Sequence, residues 1–366
     1  MAPHPPPSPG RGRARLIDVA RAAGVSTATA SLVLRERPGP SEQARAAVHA
    51  AAEALGYRPD RTASLLARRR SHLLGVLFDV TSPFHAELVA ALDEAAGEHG
   101  LDLVLSSVTP RRDEASAAEL LLDFRSEGLL LLGPTMKGAA LQDLADRVPT
   151  VVVGRQGAGA ATGVLADDAI GLGLAVDHLV HLGHRRIAYL DGPRGSIATA
   201  RRKGYRDAMR RHGLTDLIEV VPGGPTEEAG AATAAALLDR VRASPRSDVP
   251  PRGRTGEVGR AAGRPSALIA FNDRCAIGAR DALLRSGLSV PGDVSVVGYD
   301  DSPPARLGTV DLTTVSQDPA GLARATVATV AAALAGEGAA GAAARHTDVV
   351  IEPRLVVRGS TSTVSA

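Results

Sequence analysis

From Leu73 onward, short apolar runs alternate with stretches whose apolar positions recur at helical spacing. Leu73–Val80, Asp102–Val108, Gly128–Gly133 and Pro149–Gly154 read as buried strands, with helices predicted over 84–99, 113–126 and 138–147 between them. The rhythm resumes at Gly163–Asp167 and runs through strands at Arg186–Asp191, Ile218–Val221, Ala267–Phe271 and Val294–Tyr299. Helices over 169–182, 197–212, 226–243 and 274–286 separate these. Alternation of this kind builds parallel sheets covered by helices on both faces. There are enough units for two doubly wound α/β lobes, whose ligands sit beyond the carboxyl ends of the strands. Residues 244–265, SPRSDVPPRGRTGEVGRAAGRP, break the rhythm and read as a flexible insertion.

Ahead of Leu73 the spacing predicts a small all-α head. Leu16–Ala23 forms a first helix stopped by Gly24, which turns without steric cost. Ser26 can cap a second helix running to about Arg35, where Arg37-Pro38-Gly39-Pro40 breaks the chain. Ser41 caps a third, Glu42 to Leu55, and Gly56 closes it. Val19, Ala20, Ala23, Val25, Ala30, Val33, Val48, Ala52 and Leu55 supply the apolar core. Residues 1–14 are Pro-rich and expected to be disordered, and 61–69 (RTASLLARR) predict one more short helix.

Charge divides the chain at the same place. Residues 11–70 hold 12 Arg against five acidic residues, a net of +7, while the 366-residue chain totals +2 and residues 71–366 are left at −5. A basic head on a mildly acidic body is the electrostatic footprint of nucleic-acid binding. A basic disordered arm would carry the same charge, so the helical pattern has to separate the two. Composition narrows the remainder. The single Cys275 excludes an intrachain disulfide and a multi-cysteine metal site. Aromatics are 2%, so the core rests on aliphatic residues. No apolar run reaches membrane-spanning length, and MAPHPPPSPGRGRAR lacks the apolar core of a secretory signal, so a cytoplasmic protein is expected.

LIDVARAAGVSTATASLVLR (16–35) has the form helix, glycine-containing turn, helix. Such a unit lays its second helix in the major groove, with the N-terminal side chains at base edges. Here those are Thr27 and Ala28, with Ser31 and Leu32 one turn on and Ser26 and Arg35 at the ends. Small side chains lack bidentate donors, although Thr and Ala can pack on a thymine methyl. A plain three-helix packing module is the bland alternative, and the basic head favours DNA.

These segments resemble the lactose-repressor (LacI/GalR) family of bacterial transcription regulators. The likeness lies in DVARAAGVS, in Ala-x-Ala-Ser-Leu-Val-Leu, and in GYRPDRTASLLARRRS before the first strand. It continues in His178-Leu179 with Leu182-Gly183-His184-Arg185-Arg186-Ile187, in Asn272-Asp273, and in Val296-Val297-Gly298-Tyr299-Asp300-Asp301. Leu312-Thr313-Thr314-Val315-x-Gln317-Asp318 and Leu355-Val356-Val357-Arg358 complete it, so it spans about residues 15–360. The resemblance implies a helix-turn-helix domain over 15–59 and a hinge helix or linker over 60–71. That hinge would carry Arg61, Ala63 and Leu66, with Leu66 as a minor-groove wedge. Arg68, Arg69 and Arg70 could neutralise phosphates. An ordinary linker helix is the alternative. Leu32 departs from the family, many members of which carry a base-reading Arg there.

For residues 72–360 the resemblance implies two lobes like those of periplasmic sugar-binding proteins. Lobe 1 would comprise about 72–166 and 317–345, lobe 2 about 167–316 and 346–360, and 361–366 would be a tail. The three crossovers would fall near Ala166–Asp168, Ser316–Asp318 and Arg345–Thr347. A small-molecule effector would bind between the lobes, held by Arg201 and Asp300, with Phe84, Asn272 and Gln317 as further contacts. Loop-end hydrogen bonding is the plain alternative for these five, and Asp273 is placed to cap helix 274–286. An arginine fork facing a carboxylate suits sugar hydroxyls or a nucleobase edge. Pro225 stands where some sugar-binding members have an aromatic platform, which keeps a purine or nucleoside effector open.

Other signals carry less. His178, His181 and His184 form H-x-x-H-x-x-H, but Gly183 ends the helix before the third histidine, so no metal is expected. Gly157-x-Gly159-x-x-Thr162 lacks a dinucleotide loop's third glycine. No phosphate loop, nucleophile elbow or paired catalytic constellation occurs. With no such signal, the resemblance implies a non-enzymatic, cofactor-free DNA-binding repressor of a carbohydrate-use operon. Its partners would be a sugar-like effector and pseudo-palindromic operator DNA bound as a homodimer, with no membrane. A solute-binding protein serving transport, or a sugar- or nucleotide-processing enzyme, would need no basic head.

Overall fold

Backbone caps and a left-handed glycine set the head. Helix α1 (Leu16–Ala22) gives way to Gly24 at φ +66°, where a side chain would be strained. Ser26 then starts α2 (Thr27–Leu34) by accepting the Thr29 N–H at 3.0 Å. The two helices meet at 103°, within the range of roughly 90–120° typical of a helix-turn-helix. Ser41 caps α3 (Glu42–Ala54) through the Ala44 N–H at 3.3 Å. Val19, Ala20, Ala30, Val33, Val48, Ala51 and Ala52 form the buried core. This computed structural model describes residues 14–34, 36–57, 70–243, 264–336 and 347–364. The expectations for 1–13, 58–69 and 244–263 lie outside them. The chain divides into two compact units, Met1–Ser71 and His72–Ala366.

In the second unit, leucine and valine runs buried on both faces become parallel strands. The first lobe runs β1 (Leu73–Asp79), α4 (Pro83–Glu98), β2 (Asp102–Val108), α5 (Glu114–Asp123), β3 (Gly128–Leu132), α6 (Gly138–Ala145), β4 (Thr150–Val153) and β5 (Thr162–Ala166). The chain then enters the second lobe: α7 (Asp168–His181), β6 (Ile187–Asp191), α8 (Ser196–Arg211), β7 (Glu219–Pro222), α9 (Glu227–Ala243), β8 (Ala267–Ala270), α10 (Asp273–Arg285), β9 (Ser295–Asp300) and β10 (Thr313–Ser316). It returns to the first lobe as α11 (Pro319–Ala335) and β11 (Val349–Ile351), and ends with β12 (Arg354–Val356) in the second. The two six-stranded sheets have the orders β11-β5-β4-β3-β1-β2 and β12-β10-β9-β8-β6-β7. Every pairing is parallel except β10 with β12.

Two boundaries differ from expectation. The third crossover, expected at Arg345–Thr347, falls at Glu352-Pro353, because Val349–Ile351 pairs in parallel with β5 of the first lobe. Residues 361–364, expected in a tail, are built into the second lobe. Ser362 N–H donates to Ser295 Oγ at 3.1 Å, Val364 N–H to the Leu182 carbonyl at 3.1 Å, and Thr361 Oγ1 meets His178 Nε2 at 3.0 Å.

Helix α9 packs closely on α10. A Cβ at Gly230 would overlap the Cys275 carbonyl, and one at Gly278 would overlap the Glu227 carbonyl, so two glycines facing two backbones fix the approach. This packing places the start of α10 at the second lobe's strand ends. Gly278→Ala is expected to cost about 2–3 kcal/mol through overpacking. Urea unfolding that shows a lower midpoint with an unchanged slope would confirm it; an unchanged midpoint would contradict the packing.

Candidate functional site

On the head, α2 presents Thr27, Ala28 and Leu32 outward, and Leu32 is 41% exposed although apolar. Ser31 is half-buried beside them. Ser26 is committed to capping, and its hydroxyl also meets Thr29 Oγ1 at 2.9 Å. The exposed face thus lacks long polar side chains and offers methyl groups, suited to thymine methyls rather than to bidentate base contacts. Arg35, Arg61, Ala63 and Leu66 lie outside the described residues.

In the body, the carboxyl ends of both sheets open onto one cleft of about 890 Å³, counted out to its solvent mouth. Phe84, Arg201, Asn272, Asp300 and Gln317 all line it. Arg201, on α8, is 4% exposed. Its Nε donates to Asp168 Oδ1 at 2.9 Å, Nη1 donates to the Phe271 carbonyl, and Nη2 stands 3.8 Å from Asp300 Oδ1. The guanidinium also lies over the Tyr299 ring at 3.7 Å and the Phe271 ring at 4.8 Å. Burial opposes its charge, but Asp168 first, then Tyr299 and Asp300, outweigh it and hold its pKa above the ordinary range. The arginine is therefore a permanently charged fork locked in place.

Asp300 ends β9 at φ +118°, a conformation that costs a non-glycine residue about 1–3 kcal/mol. Its Oδ1 accepts from Gln317 Nε2 at 2.7 Å. Burial pushes its pKa up, Arg201 pulls it down, and Asp273 adds to the rise. Asp273 is raised by burial too, against hydrogen bonds from Thr314 and Ser302. Asp273 does not cap α10; it is buried beneath the strand ends and accepts Ser302 N–H at 2.7 Å. The cap is Asn272, whose Oδ1 accepts Cys275 N–H at 2.9 Å while its Nδ2 donates to the Pro225 carbonyl at 3.1 Å. Asn272 therefore faces the cleft with its strongest bonds already made.

The first-lobe wall is more apolar. Phe84 is 8% exposed and packs with Leu88 and Leu322. Beside it, His85 Nδ1 accepts the Asp79 N–H at 3.1 Å. Burial lowers the His85 pKa to about 4 against the pull of Asp79. One ion pair and one long hydrogen bond join the two lobes at the rim. Arg306 Nη2 reaches Glu87 Oε1 at 2.9 Å, and Arg274, gripped by Glu227, reaches Thr81 Oγ1 at 3.5 Å. Among the described residues no cluster of His, Cys, Asp or Glu could hold a metal ion. His184 instead meets Ser266 at 2.8 Å and Ser295 at 3.0 Å.

Sequence reasoning missed Asp168, His85, Phe271 and Arg274. His85 directly follows Phe84, so adjacency was a usable signal. Asp168 stands in the sequence only as a crossover residue, and its partner lies 33 positions away.

Comparison with known proteins places this geometry. Residues 15–60 match the model of bacterial regulatory proteins, lacI family. Residues 71–249 match periplasmic binding proteins and the sugar binding domain of the LacI family, and 176–361 match a periplasmic binding protein-like domain. The chain is 33% identical to the HTH-type transcriptional regulator GalR of Escherichia coli K12 over 91% of both chains. It is 33% identical to the ribose operon repressor of the same organism, over 76% of this chain and 80% of that one. Among solved structures, a lac repressor dimer bound to operator and an anti-inducer superposes with a TM-score of 0.74 at 27% identity, covering 96% of this chain and all of that one.

Two measurements check these sites. Ser26→Ala should cost the head roughly 1 kcal/mol through loss of the cap; an unchanged head melting transition would contradict that. Long-range proton–nitrogen correlation spectra of histidine-labelled protein should show His85 neutral and Nε2-protonated down to about pH 5, following its lowered pKa of about 4. An imidazolium signature at pH 6 would contradict the site as described.

Proposed function

The chain belongs to the LacI family of bacterial regulatory proteins and is a DNA-binding transcriptional regulator, and from that premise we propose how the cleft controls it. The chain acts as a two-fold dimer on pseudo-palindromic operator DNA and is a repressor controlled by a small molecule bound between the lobes. We take that molecule to be a sugar. The observation that carries this choice is the polar floor at the second lobe's strand ends. There Arg201 supplies fixed donors beside the Asp300 acceptor, facing the apolar Phe84 wall. A hydroxyl both donates and accepts, so a polyol can satisfy a fork and a carboxylate that lie side by side. We read the cleft as a binding site and not a catalytic one, and place the action with chromosomal DNA in the cytoplasm. No single described helix is long and apolar enough to cross a membrane.

Ligand control is a matter of linkage: the effector shifts operator affinity only by binding the two states differently. Closure around a ligand would reset the rim pairs Glu87–Arg306 and Thr81–Arg274, which join α4 and the β1–α4 loop of the first lobe to the second. Selection of genomic fragments by the purified protein, followed by salt titration on the best fragment, tests the regulator. A pseudo-palindromic site should emerge, its affinity falling about a thousandfold or more between 50 and 200 mM salt. Weak binding that ignores sequence would overturn the proposal. For the cleft, Asp300→Asn and Arg201→Ala should each weaken the sugar that binds wild type by at least about tenfold, with circular dichroism as the control for folding. Unchanged affinity in both would move the site elsewhere.

A further inference from the structure

His85 lines the cleft and carries a ring donor that no described residue uses. Its backbone N–H is held by Ser82 Oγ at 3.3 Å at the start of α4, and its Nδ1 accepts the Asp79 N–H at 3.1 Å. A ring nitrogen that accepts carries no proton, so the proton of the neutral ring sits on Nε2. That nitrogen has no hydrogen-bond partner among the described residues. It lies against Gly133 at the end of β3, where a Cβ would stand 3.4 Å from Nε2 and 3.6 Å from Cε1. His85 and Gly133 both line the cleft, and Gly133, at φ +56°, adds no side chain between the ring and the ligand space.

The ring's surroundings keep it in that state. Burial lowers its pKa to about 4, so it is uncharged at neutral pH. The Asp79 carboxylate accepts from Thr81 N–H and Thr81 Oγ1, each at 2.8 Å, and Thr81 Oγ1 is itself reached by Arg274 of the second lobe. The Phe84 ring lies 6.2 Å away. Arg201 and Asp300 belong to the opposite wall of the same cleft.

We propose that His85 is a specificity-determining residue: its Nε2–H donates to an oxygen lone pair of the bound effector and selects a ligand offering an acceptor there over one offering a donor or a cation. The inference rests on the cleft being the effector site. The acceptor can be a sugar hydroxyl or a nucleobase carbonyl, and the two sources separate by experiment. With the opposite wall fixing the ligand through Arg201 and Asp300, His85 adds a first-lobe donor beside Asp79, Thr81 and Ser82 that tells an oxygen from a missing one.

Calorimetric titration of the full-length wild type, His85→Phe and His85→Gln tests this. The probes are D-galactose, D-ribose, maltose and cellobiose, with hypoxanthine and adenine as a carbonyl and amino pair. For the probe that binds wild type, His85→Phe should lose about tenfold in affinity or more, and His85→Gln, which keeps a donor, should recover most of it. Analogues each lacking one oxygen then complete a cycle. One of them should lose about tenfold on wild type and bind His85→Phe as well as its parent does. Because that ratio is taken within one variant, a modest loss of stability does not disturb it. A sugar hit assigns the acceptor to a hydroxyl, and hypoxanthine binding over adenine assigns it to a carbonyl. If His85→Phe binds as tightly as wild type, or every analogue loses equally on both proteins, the proposal falls while the cleft stands. If no probe binds wild type, the cleft assignment falls and the proposal with it.

Discussion

A buried positive charge governs the body of this protein. Arg201 is almost wholly removed from water, and an uncompensated guanidinium there would be prohibitively costly. The fold answers with Asp168 at the start of α7, Asp300 at the end of β9, the Phe271 carbonyl after β8 and the Tyr299 ring. Satisfying one side chain therefore fixes the relative positions of α7, α8, β8 and β9. Asp300 itself stands in a left-handed backbone conformation, a strain the surrounding sheet has to support. The cleft floor is pre-organised because these partners hold the guanidinium in one position.

The two lobes depend on this floor differently. The second lobe supplies the rigid polar groups, while the first brings apolar surface and a neutral imidazole. Between them run three chain crossovers and rim pairs whose members are partly exposed, such as Arg306 with Glu87. Exposed pairs of this kind are individually weak, commonly about 0–1 kcal/mol. Weak pairs of this kind can re-form in more than one arrangement.

Much of this was legible in the chain, for identifiable reasons. Strands such as Gly128–Leu132 are buried on both faces, so they appear as unbroken apolar runs, and the caps at Ser26 and Ser41 are local signals. Arg201, Asp300 and Gln317 were picked out by resemblance to a family, not by any feature of their own neighbourhood. Their partners were not legible, because Asp168 and the Phe271 carbonyl meet Arg201 only once the lobe has folded. The third crossover was misplaced because Val349–Ile351 is a short strand with no helix pattern to mark its lobe. Residues 361–364 are serine- and threonine-rich and read as a tail, yet Ser362 satisfies His184 and Ser295 in the second lobe. His85 carries no signal of its own in the chain, because the Asp79 N–H and the bare edge at Gly133 that orient its ring are set only by the fold.

The central claim is that ligand in the cleft and operator on the head are thermodynamically linked. The most direct test is to titrate the cleft sugar into free protein and into protein saturated with operator, and to measure operator affinity with and without that sugar. Linkage requires the two affinity ratios to be equal, and the account predicts a common factor between about 5 and 150, the range of coupling energies of about 1–3 kcal/mol. A sugar that binds with the same affinity whether or not operator is present would contradict it.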